Sequence, residues 1–446
     1  MANSMRETKN SNVEWIGTIP LEWQSIAIKR ISKIKTGSTP SKKFDEYYSV
    51  ENGIPWIKPE DLDNFEPISK TEEYLTMVGA EEGTIFPPET VFVCCIASVG
   101  KVGYSNQVCS CNQQINGILF DNKKVFWKYG FYALKASLIE HLAKANQSVQ
   151  YILNSTQQGY IKLPVPSIIE QHQIASYLDR KCAEIDDMIV KRQEIINKYD
   201  EYKKGIITHY VTKGFCKTNE LEDNEITWIK QKPRKWKIAK MNKVAWLKGR
   251  IGWDGLKSSE FTDSGPYLIT GTDFKDGFID WETCAHITKE RFDEDEDLHI
   301  QEDDLIITKD GTIGKVAIVK NCPEEVSLNS GVMIIRGNNN KYPYVKKYLY
   351  YTLLSNEFWS WYDYVKKPDS TIGHLYQQQF GEFKFVYPPI DEQEKISNYL
   401  DKRCKPIDEI IIKQQELIEK LKEYKQSIIY NAVTGKIDCR KEQDNA

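Results

Sequence analysis

Residues 168–213 return 222 positions later, at 390–435, without a gap and with half of the 46 aligned positions identical. A chain built this way must place the same element twice. In the first copy apolar residues fall at Ile174, Leu178, Ile185, Ile189, Ile196, Tyr199 and Ile206, and in the second at Ile396, Leu400, Ile407, Ile411, Ile418, Leu421 and Ile428. Steps of three, four and seven put one stripe along one side of a helix. The remainder is charged and helix-favouring, with Lys191, Arg192, Glu194, Lys198, Glu201 and Lys203 mirrored by Lys413, Glu416, Lys420, Glu423 and Lys425, so each helix keeps a wet face. Pro166 and Pro388 close the preceding segments, Ser167 with Glu170 has the form of a capping box, and Gly214 and Gly435 are stop signals. About 40 helical residues make a rod of roughly 60 Å, too long to bury its stripe on one compact domain. The other copy is the natural partner, packed as a coiled coil. The antiparallel orientation, which gives a pseudo-two-fold internal repeat, is an inference at this stage, and a coiled coil that only oligomerises the chain is the competing reading.

What lies between the copies is less alike. Trp15-Ile16, Pro20 and Trp23 correspond to Trp228-Ile229, Pro233 and Trp236, offset by 213. Ile34-Lys35 matches Leu247-Lys248, Pro55 to Leu62 matches Tyr267 to Phe274, and Ser98-Val99-Gly100-Lys101-Val102 matches Thr312-Ile313-Gly314-Lys315-Val316. Short β-rich stretches (91–96, 115–120, 304–308, 332–336) punctuated by Gly, Asn and Pro predict a twisted sheet, followed by helix at about 126–145 and 343–361. The expected fold class is α+β: two homologous domains, at 12–165 and 215–387, separated by repeated helices at 166–214 and 388–435, with a tail at 436–446.

Composition sets limits on function. An apolar fraction of 40% supports sizeable cores. No run approaches the ~18 apolar residues of a membrane span, and the polar opening MANSMRETKNSNVEW lacks a signal-peptide stretch, so a cytoplasmic location is expected. The ten cysteines, including Cys94-Cys95 and Cys109 with Cys111, have no histidine at ligand spacing and read as reduced core residues. No Walker loop, dinucleotide fingerprint, Gly-x-Ser-x-Gly elbow or His-Glu-x-x-His is found, so catalysis by this chain is not expected. The six histidines form no pair at metal spacing. The acidic run Asp293-Glu294-Asp295-Glu296-Asp297 lacks the pattern of a calcium loop and reads as a solvated loop. A net charge of −4 argues against a uniformly basic surface without excluding nucleic acid, because only the contacting face matters.

The remaining features are glycine-rich, hydroxyl-rich loops with lysine: Lys35-Thr36-Gly37-Ser38-Thr39-Pro40-Ser41-Lys42-Lys43, Lys248-Gly249-Arg250 and Lys309-Asp310-Gly311-Thr312. Glycine admits close backbone approach, hydroxyl and N–H groups satisfy phosphate oxygens, and Lys or Arg adds charge or reads guanine. Ordinary turn chemistry explains the same residues.

Alternation of a variable domain with a repeated helix, the paired openings Trp15-Ile16…Pro20…Trp23 and Trp228-Ile229…Pro233…Trp236, and the helix starts Pro166…Glu170-Gln171…Ile174…Leu178 and Pro388-Pro389…Glu392-Gln393…Ile396…Leu400 together resemble the specificity (S) subunit of type I restriction-modification systems. The likeness covers nearly all of 12–435. It implies two target-recognition domains, each reading half of a split, asymmetric site in double-stranded DNA, and helices that set the spacer and dock methyltransferase (M) subunits. Two M subunits are implied, and two restriction (R) subunits where restriction occurs. S-adenosylmethionine would belong to M, ATP and Mg to R, and no cofactor to this chain. The DNA-binding candidates are Lys35, Thr36, Gly37, Ser38, Thr39, Lys58 and Lys101 in the first half, and Lys248, Arg250, Thr270, Lys309, Thr312 and Lys315 in the second. The partner-binding candidates are Ile174, Leu178, Ile185, Ile189, Ile396, Leu400, Ile407 and Ile411. One departure is plain: Lys248-Gly249-Arg250-Ile251-Gly252-Trp253 stands where the first half has Gly37-Ser38-Thr39-Pro40, so the second loop's contacts transfer less securely. The alternatives are a specificity subunit of a methyltransferase-only complex and a coiled-coil adaptor that binds protein rather than DNA.

Overall fold

Both copies of the repeat form single helices, Ile168–Lys213 and Ile390–Val433. The computed structural model describes residues 6–147, 151–250, 256–337, 342–366 and 373–440. The second helix runs through Pro406 although proline removes a helical hydrogen bond; its neighbours Cys404 and Ile407 are buried and hold the turn in place. Gly214 and Gly435 end the helices with φ of 58° and 75°, a left-handed turn that glycine adopts without strain.

The chain condenses into two compact units, Met1–Gln193 with Gln415–Ala446, and Glu194–Gln414. Each unit thus holds one domain, half of the first helix and half of the second. Within each, the two helix halves run antiparallel. In the first, Lys425 donates to Asp186 at 2.6 and 2.7 Å, while the Tyr129 hydroxyl lies between Pro164 O, just before the first helix, at 2.7 Å and Val433 O at the end of the second, at 3.4 Å. In the second, Lys203 pairs with Asp408, and Tyr210 and Tyr399 share a hydroxyl hydrogen bond of 3.0 Å.

The stripe residues Ile174, Leu178 and Ile185 are buried in the core of the first unit, with Ile189 packed against it, and Ile396 and Leu400 in that of the second. Ile407 is buried and Ile411 half-buried. Six of these eight side chains are therefore buried within their own chain, and Ile189 and Ile411 are half-buried. This corrects the reading of those six as partner contacts. Burying a Leu or Ile stabilises by about 1.5–3 kcal/mol, which keeps the stripe inward.

The two domains repeat one topology. In the first, four antiparallel strands lie in the order Ser32–Thr36, Ile115–Phe120, Thr90–Cys94, Val102–Ser105; in the second, Ala245–Gly249, Val332–Gly337, Leu305–Thr308, Val316–Ile318 follow the same order. A second sheet contains the parallel pair Trp56↔Ser110 in one domain and Leu268↔Ser327 in the other. The helical segments expected after the sheets each break once, giving Trp127–Ala136 with Leu138–Lys144, and Lys346–Leu354 with Asn356–Val365.

Each domain is fastened to the helices by the same contacts. Trp23 Nε1 donates to Glu170 Oε2 and Trp236 Nε1 to Glu392 Oε2, both at 2.9 Å. Next to them, Gln171 accepts from Phe126 N at 2.7 Å and donates to Pro166 O at 2.9 Å; Gln393 accepts from Val345 N at 2.9 Å and donates to Pro388 O at 2.9 Å. The same tryptophans cover the helix-ending glycines: a Cβ on Gly435 would come within 3.1 Å of Trp23, and one on Gly214 within 2.6 Å of Trp236. The capping box forms by half only. Ser167 Oγ accepts from Glu170 N at 3.3 Å, but the Glu170 carboxylate turns to Trp23 and Arg6 rather than back to the helix start.

Glu357, at the start of the helix Asn356–Val365, is buried, and burial pushes its carboxyl up from 4.5 to about 8, with Lys213 working the other way. A raised folded-state value means the folded state holds a proton that the unfolded state releases. That stability is fully present below pH 4.5 and is lost as pH rises through about 8. Melting between pH 5 and 9 should show a decline on the order of 3 kcal/mol, and Glu357→Gln should flatten it and melt higher than wild type above pH 8. Identical pH profiles for the two proteins would remove Glu357 as the cause.

Candidate nucleic-acid interface

In the first domain the loop after Ser32–Thr36 turns against the second sheet. Gly37 N donates to Ile115 O at 2.9 Å, and a Cβ there would lie 2.3 Å from Asn112 O and Cys111 O, so only glycine fits. Ser38 O accepts from Trp56 Nε1 at 3.2 Å and Ser38 Oγ from Thr84 N at 2.7 Å. Thr36 Oγ1 donates to Asn116 at 2.8 Å, and Thr39 bonds Gln113. Lys58 lies beside the Trp56 ring, as does Lys42, and both bind Glu73, at 3.0 and 2.9 Å. Burial works to lower the Lys58 ammonium, but the hydrogen bond and charge of Glu73, with Glu60 and Glu72, hold it above the usual range. Lys35 is exposed, Lys101 half-exposed, and neither makes an ion pair among the described residues. The structure thus brings Ser38 and Lys58 to Trp56, ties Thr36, Gly37 and Thr39 to residues 111–116, and leaves Lys35 exposed and Lys101 half-exposed.

In the second domain Thr270 N and Oγ1 both donate to Asp273 Oδ2, at 2.6 and 2.9 Å, the counterpart of Lys58 N donating to Asp61 at 2.8 Å. Lys315 Nζ donates to Gly271 O at 3.2 Å, joining this turn to the turn Gly311–Gly314. Lys309 pairs with Asp310 at 2.9 Å, and Thr312 is exposed at the tip. Thr270, Lys309, Thr312 and Lys315 therefore share one end of the domain.

Two candidates do not join them. Lys248 pairs with Asp295 and Asp297, at 3.0 and 3.2 Å, which hold it above the usual lysine range despite burial acting to lower it. The acidic run stays at the surface, with Asp293, Glu294, Glu296 and Asp297 exposed, and two of its carboxylates, Asp295 and Asp297, also pair with this strand lysine. Arg250 is buried, donating to Leu328 O at 3.3 Å and Ser327 Oγ at 3.5 Å. Pairing register places it where Gly37 sits in the first domain, so its side chain runs inward along the space that Gly37 leaves to the backbone. It is a strut rather than a surface reader. Ile251, Gly252 and Trp253, the rest of that loop, lie outside the described residues.

The glycine turns superpose in detail. Gly100 N donates to Cys94 O and Gly314 N to Thr308 O, both at 3.0 Å. Ala97 and Gly311 open the turns at φ of 62° and 69°, and Gly100 and Gly314 close them at 89° and 80°. Cβ atoms on the closing glycines would strike Leu138 at 2.3 Å and Trp359 at 2.6 Å. Beside these turns Cys94, Cys95, Cys109 and Cys111 are buried in the sheets, where burial raises every thiol, Cys95 and Cys109 to about 12. Thiols so held are packing groups.

A family model described as the type I restriction modification DNA specificity domain matches residues 20–198 and again 233–422. The chain belongs to this specificity family. Two full-length relatives agree: the MjaVIII specificity subunit of Methanocaldococcus jannaschii is 24% identical over 444 residues, 94% of each chain, and the EcoBI specificity subunit of Escherichia coli 21% identical over 458 residues, 99% of this chain and 92% of that one. The MjaIX specificity subunit of M. jannaschii is 30% identical over 242 residues, and that match spans about half of each chain, 51% and 53%. A solved structure described as the basis of complex assembly and conformational transition of the type I R-M system aligns with a TM-score of 0.62 at 14% identity, over 94% of this chain and 99% of that one, which supports the same fold. The two family matches coincide with the two domain-plus-helix repeats of this specificity subunit. Among the described residues no helix is long and apolar enough to cross a membrane. Sequence reading missed Trp56, Glu73, Asp310 and His374; a lysine next to an aromatic was the available signal for Trp56, whereas the partners Glu73 and His374 are distant in the chain.

Proposed function

We propose that this specificity subunit reads a bipartite, asymmetric site in double-stranded DNA, one half per domain, and performs no chemistry itself. One observation carries the reading: the same two-sheet scaffold and glycine turn are built twice on shared helices, while the side chains on the turns differ. A scaffold kept constant under changing loops is what base readout from fixed phosphate contacts requires. The lysines at the turn ends, Lys101 and Lys315, with Lys35, supply cationic groups for phosphates. The charged outer faces of the helices dock M subunits, which hold S-adenosylmethionine and methylate adenine; R subunits, holding ATP and Mg, join where restriction occurs. The two helices link the units and set the number of unread bases, and the assembly works in the cytoplasm.

The purified chain, mixed with DNA and S-adenosylmethionine, is expected to transfer no methyl group, and with its M partner to direct methylation to one sequence. Methyl transfer by the chain alone, or methylation by the pair without sequence preference, would overturn the reading.

A further inference from the structure

The two domains share a short β-bridge beside the glycine turn. In the first, Ile96 bridges Ile152 and Leu153 N donates to Cys95 O at 2.8 Å. In the second, Asp310 bridges His374 and Leu375 N donates to Lys309 O at 2.8 Å. The backbone is therefore the same and the residues correspond one to one: Cys95, Ile96 and Ile152 against Lys309, Asp310 and His374. No chemistry is shared across the three positions. In the first domain Ile152, in the short strand Tyr151–Ile152, has 42% of its surface exposed, and Ile96 beside it is half-buried against the core. In the second, Asp310 Oδ1 meets His374 Nδ1 at 2.7 Å and Asp310 Oδ2 meets Lys309 Nζ at 2.9 Å, with the histidine 40% exposed. The carboxylate binds both neighbours, so it fixes the ammonium and the ring and spends its own charge on them. Tyr376 packs near the ring, 5.7 Å between centroids, and the Lys309 stem lies over Gly249, where a Cβ would come within 3.3 Å. The cluster is held in place, with the ring of His374 open to solvent and the Lys309 side chain 15% exposed.

We propose that this bridge is a specificity-determining position in each half, and that the two domains read opposite classes of base pair there. The second domain takes a G·C pair: Lys309 donates to the guanine acceptors, and Nε2 of His374, whose Nδ1–H is turned to Asp310, accepts from the cytosine amino group. The first takes an A·T pair, with Ile96 and Ile152 against the thymine methyl. The major groove offers each of these features, two acceptors on guanine, an amino donor on cytosine and a methyl on thymine. A thymine methyl set against this cluster would leave His374 Nε2 and the remaining N–H groups of Lys309 without partners, and a cytosine amino group set against two isoleucines would lose its hydrogen bond to water. The proposal rests on the DNA-reading function above and adds the residues and the base class.

The test uses the full chain reconstituted with its M partner on a DNA library randomised across both half-sites, sequencing the methylated products. Variants are K309A, H374A and D310N, the exchange K309C/D310I/H374I, and the reciprocal I96D/I152H. Second-domain variants are expected to relax one position of the second half-site, losing about 5- to 150-fold of G·C preference there, with the first half-site unchanged. The reciprocal variant is expected to relax one A·T position of the first half-site alone. Loss spread evenly over all sequences with a lower salt dependence would overturn base reading in favour of phosphate contact, and an unchanged motif would overturn the proposal outright. Should a multiple exchange fail to fold on thermal melting, the single truncations K309A and H374A, the latter at a side chain 40% exposed, decide the matter by the same two outcomes. A wild-type complex with no sequence preference would instead defeat the DNA-reading function on which the proposal depends.

Discussion

Replacing Glu170 or Glu392 by alanine is expected to destabilise the protein by about 2–4 kcal/mol, because each carboxylate accepts the indole N–H of a buried tryptophan and its loss leaves that donor unpaired. The glutamine variants should separate the two sites. Glutamine still accepts from the indole, so Glu392→Gln, with no cation on Glu392 among the described residues, should cost less than about 1 kcal/mol. Glu170 also binds Arg6 Nη1 at 2.6 Å and Nη2 at 3.1 Å, and Arg6 side-chain exposure is only 13%, so Glu170→Gln should cost distinctly more. Arg6 keeps Glu22 as a second acceptor, which limits the loss. Chemical denaturation of the four variants measures this. Equal cost for both glutamine variants would mean that Arg6 adds nothing to the anchor. Because the contact fastens each domain to the helices, a loosened anchor should also blunt specificity in the half it serves.

Lengthening both helices by four residues, after Gln193 and after Gln414, is expected to move the preferred spacing between half-sites by about two base pairs. The unit boundaries dictate the paired design. Each unit contains part of each helix, with Asp186 on Lys425 in one and Lys203 on Asp408 in the other, so extending one helix alone would lengthen one of the two connections and not its partner. Four residues add about 6 Å and slightly more than one turn, which keeps the stripe near its face, and DNA rises roughly 3.4 Å per base pair. Sites with the original spacing should then be engaged only as non-specific DNA, about 10³-fold more weakly or worse, while both half-site sequences stay the same. Mapping methylated sites reads the result directly. An active double-insertion protein that keeps its original spacing would show that helix length is not the ruler, and the melting temperature separates that outcome from misfolding.

Much of this architecture was legible in the chain because it is periodic or duplicated. The spacing of Ile174, Leu178 and Ile185, repeated at Ile396, Leu400 and Ile407, determines a helix with one apolar side, since 3.6 residues per turn is a property of the backbone and needs no distant partner. The alignment of Ser98–Val102 with Thr312–Val316 likewise determined a shared turn, confirmed by left-handed backbone at Gly100 and Gly314. Tertiary structure alone decided which carboxylate each lysine meets. Lys248 and Lys309 sit in similar polar, glycine-bearing sequence, yet one is paired with carboxylates 47 and 49 positions away, whereas the other pairs with its own neighbour Asp310 on the turn beside His374. Arg250 and Gly37 share a strand position, and the packing of Ser327 and Leu328 against the first turned it inward. It also decided that Ile174, Leu178, Ile185, Ile396, Leu400 and Ile407 of the stripe are buried within the chain itself. Local sequence determines backbone periodicity and turn geometry because those depend on neighbouring residues; the partner of a charge depends on which distant segment the fold brings within a few ångströms, and no local pattern records that distance.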